Sequence, residues 1–300
     1  MLVKNDLSQK YIDLLKNSLV GELYIENEWR FVSTIASLFQ RRKFTFPDVY
    51  NVNHDSEIYR RLKQQKENGN PLTLARYNQD GSFVPAYEMR NFTELGHTMI
   101  GMRCMDNIQY CIENVLNDNI AGDLIETGVW RGGASIFMRG VLAAYGINDR
   151  SVWVADSFDG VPPPTLPEDA GFDISKRFYP FLVVSKETVA ELFERYGLLD
   201  AQVRFLVGWF KDTLAAAPIE AISVLRLDGD LYESTMDALN PLYAKVSCGG
   251  FIIVDDYYSC APCRKAIDGF RAANAITDEM VKIDDQSVFW RKCQMAERRA

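Results

Sequence analysis

The chain has 300 residues, 47% of them hydrophobic and 25% charged, an ordinary balance for a globular domain that excludes collagen, coiled-coil and disordered classes. Lys and Arg total 33 against 41 Asp and Glu, a formal net charge of −8, so a broad nucleic-acid surface, which needs a basic footprint, is not expected. No apolar run approaches the roughly 20 residues of a membrane span, and six scattered cysteines with no secretion signal read as reduced thiols in a cytoplasmic protein.

Residues 8–20 place Ile12, Leu15, Leu19 and Val20 on one helical face. From about 40 to 90 the texture shifts to charge, Asn and Pro, punctuated by Pro71, Gly81 and Pro85. That stretch reads as an appended segment of helix and loop. Within it Arg41, Arg42, Lys43, Arg60 and Arg61 read as solvated helix faces. His54 and His97 read as structural or substrate-shell residues rather than a general base.

After residue 90 the pattern becomes regular. Residues 106–116 form an amphipathic helix with Ile108, Cys111, Ile112 and Val115 inward. Apolar strands follow at 122–128, 151–158, 203–210, 221–230 and 249–257, with helices at 133–146, 186–197, 233–245 and 262–274. The alternation predicts an α/β fold, a doubly wound and mostly parallel sheet with an appended helical N-terminal segment. Ligands in such sheets bind beyond the carboxyl ends of the strands. Residues 159–180, rich in proline and lacking a strand, read as a functional loop such as a lid.

The chemically suggestive residues sit at strand ends. The first strand ends in Glu126-Thr127-Gly128 and runs on through Arg131 to Gly132 and Gly133. The glycine spacing is not that of a dinucleotide site, and an acid preceding the first glycine suits the ammonium of an amino-acid tail better than a pyrophosphate. A tight strand-to-helix turn explains the glycines equally well. Asp156, at the next strand end, reads as an acceptor for ribose hydroxyls, with a helix cap as the alternative. Trp209 and Phe210 after the third strand can stack on an adenine or pack in the core.

The strongest constellation is the pair of strand ends holding Asp228 and Asp230, and Asp255 and Asp256. Four carboxylates arriving on neighbouring strands repel unless something neutralises them, and an all-oxygen set suits Mg²⁺. Turns and caps after strands are the rival explanation. A single C-x-x-C, Cys260 to Cys263, has no second pair and is not read as a zinc or redox motif.

These segments resemble the macrocin O-methyltransferase family of antibiotic-sugar methyltransferases. The matching stretches include HTMIGMRCMDNIQYCIENVL, GDLIETGVWRGGASIFMRGVLAAYG, VWVADSFDGVP, LRLDGDLYESTMDAL and GGFIIVDDY, between about 97 and 291, with 11–24 similar to the family's opening helix. The resemblance fades between 26 and 90. It implies a class I methyltransferase fold using S-adenosylmethionine and Mg²⁺, with 1–90 a divergent helical or lid segment and 91–300 the catalytic domain. By that resemblance the metal ligands are Asp228, Asp255 and Asp256, and Asp230 is the general base. The cofactor motifs fall on Glu126, Thr127, Gly128, Val129, Arg131 and Ser135, then on Asp156, Ser157 and Phe158, then on Gly208, Trp209, Phe210 and Asp228. Met99 lies in the segment that closes over the cofactor. The implied acceptor is a hydroxyl of a glycosylated small molecule, with a catechol-like vicinal diol as the alternative and a non-catalytic cofactor-binding scaffold as the rival of another class. A homo-oligomer, dimer or tetramer, is expected.

Overall fold

A computed structural model describes residues 5–39, 50–69, 75–77, 83–85 and 95–293. The chain forms two compact units: residues 13–103, and residues 104–300 joined by 1–12.

The smaller unit contains the end of α1 (Asp6–Leu19), α2 (Ile25–Phe39), α3 (Glu57–Asn68) and a short antiparallel pair, β1 (Ala75–Tyr77) with β2 (Phe83–Pro85). Ile25, Trp29, Val32 and Leu62 make its apolar centre. Ser56 caps α3 by accepting the Tyr59 amide, and its hydroxyl also takes the Trp29 indole N–H at 2.8 Å. A buried ion pair, Lys66 to Glu28 at 2.5 Å, lies in the same unit. His54 contacts Glu26 at 3.1 Å on its surface, while Arg41, Arg42 and Lys43 lie outside the described residues. The helix over 25–39 is not among the elements expected from the sequence.

The larger unit follows the expected alternation: α4 (Met102–Asn117), β3 (Asp123–Thr127), α5 (Gly133–Ala144), β4 (Val152–Asp156), α6 (Lys186–Arg195), β5 (Val203–Val207), the short α7 (Phe210–Thr213), β6 (Ile222–Leu227), α8 (Tyr232–Leu242), β7 (Val246–Val254) and α9 (Ala261–Ala273). Two further strands, β8 (Val281–Lys282) and β9 (Val288–Arg291), complete a seven-stranded sheet in the order β5-β4-β3-β6-β7-β9-β8. Strands β3 to β7 are parallel, whereas β9 runs antiparallel to β7 and β8 antiparallel to β9.

Every residue of β6 is buried. Successive side chains of a strand point to opposite faces, so the sheet is covered on both. From β3 the chain moves outward through β4 to β5 and then returns to β6 on the other side of β3. The strand order therefore reverses between β3 and β6, where an open α/β sheet presents its ligand crevice. Among the described residues no helix is long and apolar enough to cross a membrane, and all six cysteines are free thiols.

Candidate active site

Register brings the functional strand ends to one line. Thr127 of β3 pairs with Leu227 of β6, and Leu227 with Val254 of β7. The ladder continues one residue further: the Asp228 N–H donates to Thr127 O and the Asp255 N–H to Leu227 O, both at 2.9 Å. Asp228 and Asp255 thus stand side by side at the switch point.

The turn after β3 is shaped by close backbone approach. Gly128 has φ +88, and a Cβ there would sit 1.7 Å from the Asp228 carbonyl oxygen. Only glycine fits such a position. Trp130 also adopts positive φ (47); its indole N–H donates to Phe181 O at 3.0 Å, and the Arg131 guanidinium lies 4.3 Å from its ring. Asp156 braces the turn from β4. One of its oxygens accepts the Val129 N–H and the other the Phe158 N–H, each at 2.7 Å. Burial pushes Asp156 up, and these backbone donors oppose the shift. Ser157 closes the adjoining turn, donating to Gly160 O and accepting from the Asp159 N–H. Gly208, Trp209 and Phe210 form the link from β5 to α7, with Trp209 half-buried and Phe210 packed on the core.

Glu126 lies beneath this turn, almost wholly buried. Its two oxygens are engaged by the Ser135 hydroxyl and by Arg226. Burial raises its pKa to about 7 against the lowering effect of Arg226. Thr127 is buried beside it, its hydroxyl directed at Arg226 O at 3.4 Å. Met99 belongs to the other unit, between His97 and α4.

Sequence reasoning missed Arg226. It is 1% exposed at the next-to-last position of β6, and its guanidinium binds Glu126 at 2.7 Å, Asp228 at 2.7 Å and Asp255 at 2.6 Å. Burial disfavours this cation, but the three carboxylates hold it firmly charged. The signal was present: a lone arginine in a continuous apolar run has to be paired if the strand is buried. The acids are therefore neutralised in part from within the protein, before any metal is considered.

One oxygen from each of Asp228, Asp255 and Asp256 comes within 4.8 Å of the others, and Asp230, Asp256 and Cys260 make a second such group. Arg226 occupies Asp228 Oδ2 and Asp255 Oδ1, leaving the second oxygen of each for another partner. Three hard oxygen donors converging in this way suit Mg²⁺. Burial raises Asp255 to about 7, with Arg226 opposing and Asp228 and Asp284 reinforcing, and burial with Asp230 drives Asp256 well upward. Cations are favoured wherever carboxyls are so destabilised as anions. Asp230 has φ 56, and its N–H donates to Asp256 Oδ2 at 3.3 Å. Burial also raises the Cys260 and Cys263 thiols, which keeps them protonated and unsuited to redox exchange.

The macrocin O-methyltransferase (TylF) family matches residues 8–292. The chain belongs to this family. The methyltransferase match extends through 26–90, where the sequence resemblance had faded. Over 209 residues the chain is 53% identical to the demethyldecarbamoylnovobiocin O-methyltransferase of Streptomyces niveus, covering 68% of this chain and 79% of that one. It is 50% identical to the mycinamicin III 3''-O-methyltransferase of Micromonospora griseorubida over 208 residues, 67% of this chain and 81% of that one. Among solved structures, the O-methyltransferase NovP superposes with a TM-score of 0.75 at 40% identity, covering 96% of this chain and all of NovP. The enzyme is thus an S-adenosylmethionine-dependent O-methyltransferase of class I fold, as the family resemblance implied.

Proposed function

We propose that the enzyme methylates a hydroxyl of a sugar carried by a glycosylated natural product. The observation that carries this reading is the meeting of Asp228, Asp230, Asp255 and Asp256 at adjacent strand ends, together with relatives named for glycosylated antibiotics.

Asp228, Asp255 and Asp256 would hold Mg²⁺, whose Lewis acidity lowers the pKa of a neighbouring hydroxyl. Arg226 fixes one oxygen of Asp228 and one of Asp255, so the remaining oxygens are oriented without ordering cost when a ligand arrives. Asp230 receives the proton of the acceptor hydroxyl. S-adenosylmethionine would lie against the turn after β3, with Gly128, Val129 and Arg131 at its amino-acid end, Asp156 to Phe158 at the ribose, and Gly208, Trp209 and Phe210 at the adenine. Glu126, engaged by Ser135 and Arg226, supports that turn from below. Holding oxygen, methyl carbon and sulfur in line supplies about 7–11 kcal/mol of the acceleration. Residues 91–300 form the catalytic domain of a cytoplasmic homo-oligomer, dimer or tetramer, which light scattering of the purified chain tests directly.

The deciding experiment is turnover with demethyldecarbamoylnovobiocin and mycinamicin III as acceptors, with and without EDTA, for wild type and Asp230→Asn. Turnover of a glycosylated acceptor that EDTA abolishes, and that Asp230→Asn lowers about 100-fold or more while S-adenosylmethionine binding persists, supports the reading. Undiminished turnover in EDTA refutes the metal. Undiminished turnover by Asp230→Asn refutes the base.

A further inference from the structure

The loop between β4 and α6 is pinned to the element that presents Asp230. Its anchor is Asp169, a fully buried acid in an otherwise irregular segment. Asp169 Oδ1 accepts the Tyr232 N–H at 2.6 Å, and Oδ2 accepts the Glu233 N–H at 3.1 Å. These are the first two amides of α8, whose own N-cap residue, Leu231, offers no side-chain bond. Helix amides at an N-terminus need acceptors, and here a residue more than sixty positions away supplies both.

The segment around Asp169 is itself tied to its neighbours by hydrogen bonds and packing. The Asp169 N–H donates to Leu166 O, and the Phe172 N–H to Asp169 O; Phe172 packs on the main core. Thr165 bonds Glu233, and Glu168 faces Lys265 of α9 at 3.6 Å. Directly before the α8 N-cap stands Asp230, in a left-handed conformation that non-glycine residues hold only when their surroundings impose it. The Leu231 N–H turns back to Gly229 O at 2.5 Å, so little slack separates Asp230 from the amides that Asp169 grips.

We infer that Asp169 is a positioning residue for Asp230: it caps α8 from the loop and thereby fixes the carboxyl that takes the acceptor's proton, so that the loop and the base move as one body. This rests on the reading of Asp230 as base. A purely structural cap would weaken the fold without caring whether residue 230 is an acid, and that difference makes the inference testable.

The test is a double-substitution cycle of Asp169→Asn and Asp230→Asn, using whichever of demethyldecarbamoylnovobiocin and mycinamicin III the wild type methylates, with hydrogen exchange measured on the same proteins. Asp169→Asn keeps one acceptor oxygen and turns an amide towards the other N–H. It should lower kcat about tenfold or more while KM for S-adenosylmethionine stays within about twofold. In the Asp230→Asn background the same change should cost less than about twofold, because residues acting through one group are non-additive. Equal fractional losses in both backgrounds, or wild-type kcat for Asp169→Asn, overturn the inference. Normal turnover by Asp230→Asn instead removes the base reading itself, a pattern distinct from failure of Asp169 alone. In the unmodified protein, with no acceptor present, the amides of Tyr232 and Glu233 should exchange together with those of Asp169 and Phe172, as one opening event exposes all four. Independent exchange rates overturn the inference even if the Asn variant does not fold.

Discussion

Arg226→Met is the sharpest probe of how the acid cluster is held. The side chains are of similar length, so the change removes the charge and five N–H donors with little loss of volume. Glu126 and Asp255 then lose their shared cation inside the protein. Breaking a buried ion pair on one side costs about 3–5 kcal/mol, and for a unit of this size each kcal/mol lowers Tm by about 2–4 °C. The expected drop is therefore about 6–20 °C, read by calorimetry in EDTA at pH 8. Its pH dependence has a definite sign. Glu126 and Asp255 already titrate near 7, above their ordinary values, because burial outweighs Arg226; without the arginine they shift higher still. A carboxyl with a raised folded-state pKa loses stability as pH rises from its unfolded value through its folded one. The gap between variant and wild type should thus widen as pH rises through 7 and narrow at pH 6, where both groups are largely protonated. With Asp255 among the proposed Mg²⁺ ligands, added Mg²⁺ should restore more Tm to the variant than to wild type, since it would neutralise one of the two acids left without their cation. A drop under about 3 °C that is the same at pH 6 and pH 8 would refute the assignment of Arg226 as their counter-ion.

Other perturbations give separate readings. Gly128→Ala should abolish soluble folded protein or S-adenosylmethionine binding, because its Cβ meets the Asp228 carbonyl at 1.7 Å and backbone cannot yield that far; near-native calorimetric binding would contradict the turn. Asp255→Asn should stabilise the metal-free enzyme by an amount that grows between about pH 4 and 7, the window set by its raised pKa. Melting curves in EDTA that give the same difference at pH 5 and pH 8 would reject that shift. Trp130→Phe removes the bond to Phe181 O and should cost about 1 kcal/mol, with faster amide exchange confined to residues near 181; unchanged exchange there would show that the bond does not hold the loop.

The parallel strands are legible in sequence because a strand buried on both faces reads as a continuous apolar run, and the acids are legible because they follow those runs directly. Pairing register, which sets Asp228 beside Asp255, is invisible in one sequence. The hairpin of β8 and β9 escapes notice because one strand has two residues and the other four, too short for an alternation to register. Arg226 and Asp169 are harder for a deeper reason. Each works through partners remote in the chain, on β3 and just past the end of β7 for the arginine and on α8 for the aspartate, and local pattern says nothing of such pairs. The family resemblance supplied the metal and base assignments for residues whose spacing alone left turns and caps as rivals.

Strand β9 lies between β7 and β8, although it is the last strand to be made. Ser287, just before it, donates to the backbone oxygen of Asp255. On the ribosome, β7 therefore waits with one apolar edge unpaired until Val288–Arg291 has emerged, for a few seconds at ordinary rates of synthesis. An open edge of that kind invites pairing with other chains. A nascent chain cut short before Val288 should consequently aggregate more readily than the full chain, which sedimentation of the two translation products would show.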